Sequence, residues 1–214
     1  MDKLTKIILI RHGQTDWNIA GRYQGQADIA LSDVGIKQAE ILAQNFPVKK
    51  IDAIYSSDLK RAHFTANKIG EKFDVNVKTV KAFREICFGD WEGLTYEQIT
   101  KKWPIALNNF FQAPDILEIP NGETFVEVQK RAMAALHEII DQHNDSTVVI
   151  VSHGAILRTV IAGVLHTPLK YLWSFRQENT AVNIFTYNEG YFMVDLLNST
   201  AHLQGTEYQI LTKI

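Results

Sequence analysis

Arg11 and His12, followed by Gly13, close a short apolar run at residues 6–10, and Ser152, His153 and Gly154 close a second run at 147–151. Continuous Ile, Leu and Val mark strands buried on both faces, and in open α/β sheets ligands sit in the crevice beyond the carboxyl ends of such strands. Two imidazoles and a guanidinium are therefore delivered to a binding edge, each histidine with a glycine after it. Gly13 is read as removing the Cβ that would obstruct approach of the backbone to a ligand. A third run at 51–55 opens through Ser56, Ser57 and Asp58 into a helix with Arg61 in its first turn. Once the three strands are neighbours, Arg11, His12, Arg61 and His153 converge on one sheet edge beside helix N-termini. Such a cluster suits a dianionic phosphate, because an arginine fork holds two oxygens at once and keeps its charge at neutral pH. Two arginines would repel a dication, which argues against a metal site. The other histidines, His63, His137, His143, His166 and His202, show no ligand spacing and read as surface or packing residues.

The elements that must position these groups alternate between strand and helix. Ser32 is the expected N-cap of a helix whose inner face is Ile36, Ala39, Leu42, Ala43 and Phe46, with Leu31 stapled onto Ile36 and Pro47 ending it. Residues 58–73 form a second helix, 75–80 a short strand, and 123–142 a strongly amphipathic helix with Phe125, Val128, Ala132, Leu136 and Ile139 inward. A helix after Gly154 aims its amino end at His153, where its dipole favours an anion. Runs at 181–187 and 191–197 around Asn188-Glu189-Gly190 predict an antiparallel hairpin. Residues 14–30, too long and irregular for a routine connection, read as a binding loop carrying Trp17, Asn18, Tyr23 and Gln24. Residues 90–120, rich in aromatics and proline, read as irregular helices that cap the sheet edge and sense substrate shape.

Composition narrows the classes. The 214 residues, 46% hydrophobic and 21% charged with a formal net charge of −2, favour one globular domain without a global field for nucleic acid or anionic membrane. Cys87 is the single cysteine, so no intramolecular disulfide framework is available. Met1-Asp2-Lys3-Leu4-Thr5 enters the first strand directly and no apolar stretch approaches bilayer length, so the expectation is a cytoplasmic protein without signal peptide or membrane contact. The expected partner is a small phosphorylated metabolite, and a homodimer is only the base-rate expectation.

The chain resembles the histidine phosphatase superfamily, also called the phosphoglycerate mutase-like family, in its branch 1 of broad-specificity phosphatases. The resemblance runs through residues 9–18, Gly25, Leu31-Ser32 with Gly35, residues 56–62, Arg84-Glu85-Ile86, Phe88-Gly89, Trp91-Glu92-Gly93 and Ser152-His153-Gly154. It implies an α/β fold, a three-layer α/β/α sandwich around a mostly parallel sheet with an antiparallel edge strand. One domain would span 1–214, with a small helical cap inserted at about 90–122.

By the same resemblance His12 is the nucleophile that forms a phosphohistidine. It must be neutral, lowered by Arg11 and Arg61, with its other ring nitrogen bonded to a backbone carbonyl. Arg11, Arg61 and His153 resemble the clamp on the transferring phosphoryl group; Asn18, Gln24 and Gly154 are its further substrate-binding residues. Glu85 resembles the general acid and base, Glu92 being assigned to loop structure, and Cys87 is expected near the pocket. The resemblance implies no metal, and 2,3-bisphosphoglycerate as cofactor only in a mutase. Because residues 94–120 contain Lys101 and Lys102 but no arginine, hydrolysis of small phosphate monoesters, with an apolar or sugar-like leaving group, is favoured. The alternatives are a cofactor-dependent phosphoglycerate mutase and a non-catalytic phosphate-binding module; broad-specificity, sugar-bisphosphate and ribazole phosphatases remain open as substrate types.

Overall fold

The computed structural model describes residues 4–209; residues 1–3 of the short lead and 210–214 of the polar tail lie outside the described residues. In chain order the strands are β1 (Thr5–Arg11), β2 (Ala53–Ser56), β3 (Val77–Thr79), β4 (Thr147–Ser152), β5 (Val182–Asn188) and β6 (Tyr191–Ser199). The helices are α1 (Asp16–Ile19), α2 (Asp33–Gln44), α3 (Lys60–Phe73), α4 (Tyr96–Lys102), α5 (Pro104–Gln112), α6 (Phe125–Gln142) and α7 (Gly154–Val164). The sheet order is β3-β2-β4-β1-β5-β6. The first four of these are parallel, and antiparallel pairing is confined to the β1–β5 and β5–β6 side. The expected hairpin turns through Glu189 and Gly190, both with positive φ, as a two-residue connection matching strand twist requires.

Alternation along the buried strands splits the core into two layers. Ile7, Leu9, Tyr55, Val148 and Ile150 face α6, α7 and the aromatic segment, whereas Ile8, Ile10, Ile54, Val149 and Val151 face α2 and α3. Helices thus cover both sheet faces, as the three-layer reading expects. Ser32 caps α2 by accepting from the Gly35 N–H at 3.2 Å, and the helix stops at Asn45, before Pro47. The five inward positions expected for α6 are all buried. That helix starts at Phe125 rather than Glu123, because Thr124 is its N-cap in a capping box with Glu127.

Two readings are corrected by the structure. Residues 14–30 are not wholly irregular: Thr15 caps the single turn α1 and Asn18 closes its capping box. Gly13, for its part, makes room for protein rather than for ligand. A Cβ there would lie 2.5 Å from the Gly35 carbonyl oxygen, and one on Gly35 would lie 2.0 Å from that of Gln14, so the two glycines let the site loop and the start of α2 touch backbone to backbone. No helix among the described residues is long and apolar enough to cross a membrane.

Candidate active site

Strand order alone brings the two histidines together. β1 and β4 are neighbours with Arg11 opposite Ser152. One residue further on, the His12 N–H still bonds to the Ser152 carbonyl at 3.0 Å. The rings meet edge-on with centroids 5.1 Å apart, and both side chains are buried, His12 at 3% and His153 at 0% exposure. Burial, then Arg61 and Arg11, pushes the His12 imidazole well below its ordinary pKa; burial, then Arg61, His12 and Arg11, does the same to His153. Both rings are neutral at physiological pH.

A neutral imidazole carries one N–H, and its neighbours decide which nitrogen holds it. His12 Nδ1 lies 2.6 Å from the Gly13 carbonyl oxygen, an acceptor only, so Nδ1 donates and the lone pair resides on Nε2. In His153 the polarity is reversed. Its Nδ1 accepts from Arg61 Nε at 3.1 Å, so Nε2 carries the proton, and that N–H is buried without a partner.

Arg61, 1% exposed, enters from the first turn of α3. Its terminal nitrogens donate to the carbonyls of Ala27 and Gly25, each at 2.7 Å, which leaves one further N–H on each. Three of the five N–H groups of the fork thus bind the site loop and His153 at once, and two are left for a ligand. Arg11 donates to the Gln177 carbonyl, while its buried Nε has no partner. Asn179 and Thr180 hold the His12 carbonyl from the same segment, at 3.1 and 3.2 Å.

Glu85, 8% exposed, lies in the loop before Ile86 with its carboxylate on the N-terminus of α7. Oε2 accepts from Ala155 N at 3.0 Å, and Oε1 from Ile156 N at 2.9 Å and Ile86 N at 3.1 Å. The backbone N–H groups at the α7 N-terminus, the end expected to face an anionic ligand, are instead met by this carboxyl group at Ala155 and Ile156. Asn18 Oδ1 accepts from the Thr15 N–H and hydroxyl at 3.0 and 3.1 Å, so its amide NH2 is the end left for the site. Gln24 is buried and its Oε1 has no partner; the amide is free to present its NH2 instead.

Arg11, His12, Asn18, Gln24, Arg61, Glu85 and Gly154 all line one cavity of about 300 Å³, with His153 beneath it. Five buried side-chain polar atoms lack a partner among the described residues, and three belong to this constellation: Arg11 Nε, Gln24 Oε1 and His153 Nε2. Unsatisfied buried polar groups cost about 1–3 kcal/mol each, and their concentration here marks a place built for a polar ligand. Among the described residues no three His, Cys, Asp or Glu side chains gather as metal ligands would.

Sequence reasoning missed Arg158. It lies one helical turn after Gly154 on the same face of α7, lines the cavity, and stacks over Trp173 at 5.2 Å from the ring centroid. Burial, with Arg11 adding to it, lowers its pKa to about 10, so it stays cationic at neutral pH without a carboxylate partner. The spacing from Gly154 was a usable signal. Arg22, inside the loop already singled out, also lines the cavity, as do Phe110 and Phe111 from α5. Cys87 does not; its Sγ faces the Asn121 carbonyl. Glu92 accepts from Gln26 N and Phe88 N, the loop-bracing place expected of it.

The family described as "Histidine phosphatase superfamily (branch 1)" matches residues 7–200. Phosphoserine phosphatase 1 of Hydrogenobacter thermophilus is 36% identical over 200 residues, covering 94% of this chain and 95% of that protein. Among solved structures, YhfR of Bacillus stearothermophilus superposes with a TM-score of 0.89 at 36% identity, over 94% of this chain and 100% of its own. A phosphoserine phosphatase variant of Entamoeba histolytica, in complex with phosphoserine, has a TM-score of 0.85 at 36% identity, over 93% of this chain and 99% of its own.

Proposed function

The chain belongs to the histidine phosphatase superfamily, branch 1, and is a phosphoric monoester hydrolase; from that premise we propose that it acts through a phosphohistidine on His12, on small monoesters whose leaving group carries a carboxylate. The Nε2 lone pair of His12 attacks phosphorus in line and the P–O bond to the leaving group breaks. Glu85 supplies the proton to the departing oxygen, then as a carboxylate takes one from the water whose oxygen attacks phosphorus; the N–P bond breaks and inorganic phosphate leaves. Oε1 of Glu85 already accepts two backbone N–H groups and Oε2 only one, so Oε2 is the oxygen that carries the transferable proton. Arg11, the remaining N–H groups of Arg61, His153 Nε2–H, and the amides of Asn18 and Gln24 take the phosphoryl oxygens. The 90–122 segment, as the cap of a single domain, supplies Phe110 and Phe111 to the leaving-group side.

The observation that carries this reading is the opposite tautomers of two touching, neutral imidazoles: one lines the cavity with its lone pair free, and the other, buried beside it, has an N–H without a partner. Arg158 and Arg22 add cationic groups beyond those the phosphate uses, which favours an acidic leaving group over the purely apolar or sugar-like one suggested by the aromatics. The phosphoserine phosphatases among the relatives support the same choice. Phosphoserine, 3-phosphoglycerate and p-nitrophenyl phosphate, each incubated with the protein in the presence of a chelator, test it. Release of inorganic phosphate, with phosphoserine and 3-phosphoglycerate preferred over phosphoethanolamine, is expected. Tight binding without release would make it a binding module, and isomerisation of 3-phosphoglycerate that depends on 2,3-bisphosphoglycerate would make it a mutase.

A further inference from the structure

Glu85 sits in a stretch, between Phe83 and Gly89, that has neither helix nor strand of its own. Yet its carboxylate meets the N-terminus of α7 at hydrogen-bond distance through both oxygens. Some other part of the molecule must hold the loop to that tolerance, since misplacement of a proton donor by about 1 Å can cost 10²-fold. Arg131, from the middle of α6, is the group in position to do so. It does not line the cavity.

All five N–H groups of Arg131 are engaged. Nη1 donates to the carbonyls of Ala82 at 2.6 Å and Arg84 at 2.8 Å, and Nη2 to the carbonyl of Glu85 at 3.0 Å. The remaining two go to the Glu123 carboxylate, Nε to Oε1 at 2.8 Å and Nη2 to Oε2 at 3.0 Å. Glu123 Oε2 in turn accepts the Cys87 N–H at 2.8 Å and Gln26 Nε2 at 3.4 Å, and the same Gln26 amide reaches the Glu85 carbonyl at 3.2 Å. One ion pair thus grips the chain at 82, 84, 85 and 87, on both sides of the carboxylate. Converging three carbonyls on one point is favourable only around a cation with a planar fan of donors, which lysine lacks.

We propose that Arg131, oriented by Glu123, is the positioning residue for Glu85, and that the pair sets how well the enzyme protonates a leaving group. This rests on the reading of Glu85 as acid and base given above. The test is kcat/KM across leaving groups from p-nitrophenolate to the alkoxide of phosphoserine, for the wild type and for Glu85→Gln, Arg131→Lys and Glu123→Gln. A steep extra loss on poor leaving groups in Glu85→Gln establishes the acid; an even loss there would overturn that reading and not this one. Given it, Arg131→Lys is expected to lose about 10²-fold on phosphoserine and only a few-fold on p-nitrophenyl phosphate, the scale of a general-acid contribution. Glu123→Gln should follow the same pattern more weakly. Adding Arg131→Lys to Glu85→Gln should cost nothing further on phosphoserine, because the group it places is no longer an acid. A loss equal for all leaving groups, or one that adds in full to Glu85→Gln, would overturn the proposal. Should Arg131→Lys not fold, Glu123→Gln and its combination with Glu85→Gln decide in the same way.

Discussion

His12 and His153 end adjacent parallel strands, each is followed by glycine, and both are buried and held neutral by burial and by the same two arginines. They differ in what meets Nδ1: a backbone carbonyl for His12, the Nε–H of Arg61 for His153. The carbonyl can only accept and the guanidinium can only donate, so each ring is locked into the opposite tautomer from its neighbour. Two copies of one local motif thereby differ at Nε2, a lone pair on one ring and an N–H on the other, which is what the proposed roles of nucleophile and donor require. Strand register brings the rings together, but the contact on the far nitrogen divides the labour.

The comparison breaks most severely if the two rings turn out interchangeable. His12→Ala should abolish phosphate release on every substrate, a loss of about 10⁴-fold or more, since no other lone pair replaces Nε2. His153→Ala should leave attack possible but remove one donor to the phosphoryl oxygens, a cost of about 10²–10³ in kcat. Equal residual rates in the two variants would contradict the assignment. Enzyme quenched in alkaline detergent, under which an N–P bond survives, should retain labelled phosphate on His12 in the wild type, and also in His153→Ala, though not in His12→Ala.

Arg61→Lys sharpens the comparison by altering one ring and sparing the other. The fork that donates to Gly25, Ala27 and His153 is lost together with its Nε–H, and a point charge on a flexible stem cannot replace three directed bonds. A fall in kcat/KM of about 10- to 100-fold is expected. Nitrogen-15 spectra of histidine-labelled protein give the more specific readout: His12 protonated on Nδ1 and His153 on Nε2 in the wild type, with only His153 becoming a tautomer mixture in the variant. The same tautomer in both wild-type rings would remove the basis for their division of roles.

Most of this site was legible because its chemistry rides on regular elements. Apolar runs followed by His-Gly locate strand ends, Ser32 and Pro47 bound α2, and helical spacing predicts the buried face of α6. What was not legible depends on contacts between distant stretches. Nothing in the local pattern says that the space left by Gly13 is filled by the backbone of Gly35, or that Gln177 and Asn179 brace Arg11 and His12 from the far end of the chain. Arg131 is the sharpest case: in the sequence it is an ordinary charge on an amphipathic helix, and only the fold turns a loop's carbonyls toward it. Arg158 is the opposite case, because its place one turn past Gly154 puts it on the face of α7 that begins at the site.

The smallest expected effect concerns acid stability, with a third histidine as the control. His202 bonds to Thr180, the residue next to Asn179 that helps hold His12, and burial lowers its pKa to about 4. For His12, His153 and His202 alike the folded pKa lies below the unfolded value near 6.5, so between the two the unfolded chain binds more protons than the folded one. Stability is therefore full above about pH 6.5 and is lost as pH falls through that window, by up to about 1.4 kcal/mol per pH unit for each ring that stays neutral in the fold. His202, the least enclosed of the three, contributes less than that. Thermal midpoints should fall from pH 6.5 toward pH 4, and His202→Gln should make the fall shallower without flattening it, since the two site histidines remain. The acid limb of kcat/KM, corrected for the substrate's own ionisation, should be unchanged in His202→Gln and should begin well below pH 6.5 in both proteins. An acid limb near 6.5 would mean that the nucleophile titrates like a solvated imidazole, and the cationic enclosure around it would then have no bearing on its reactivity.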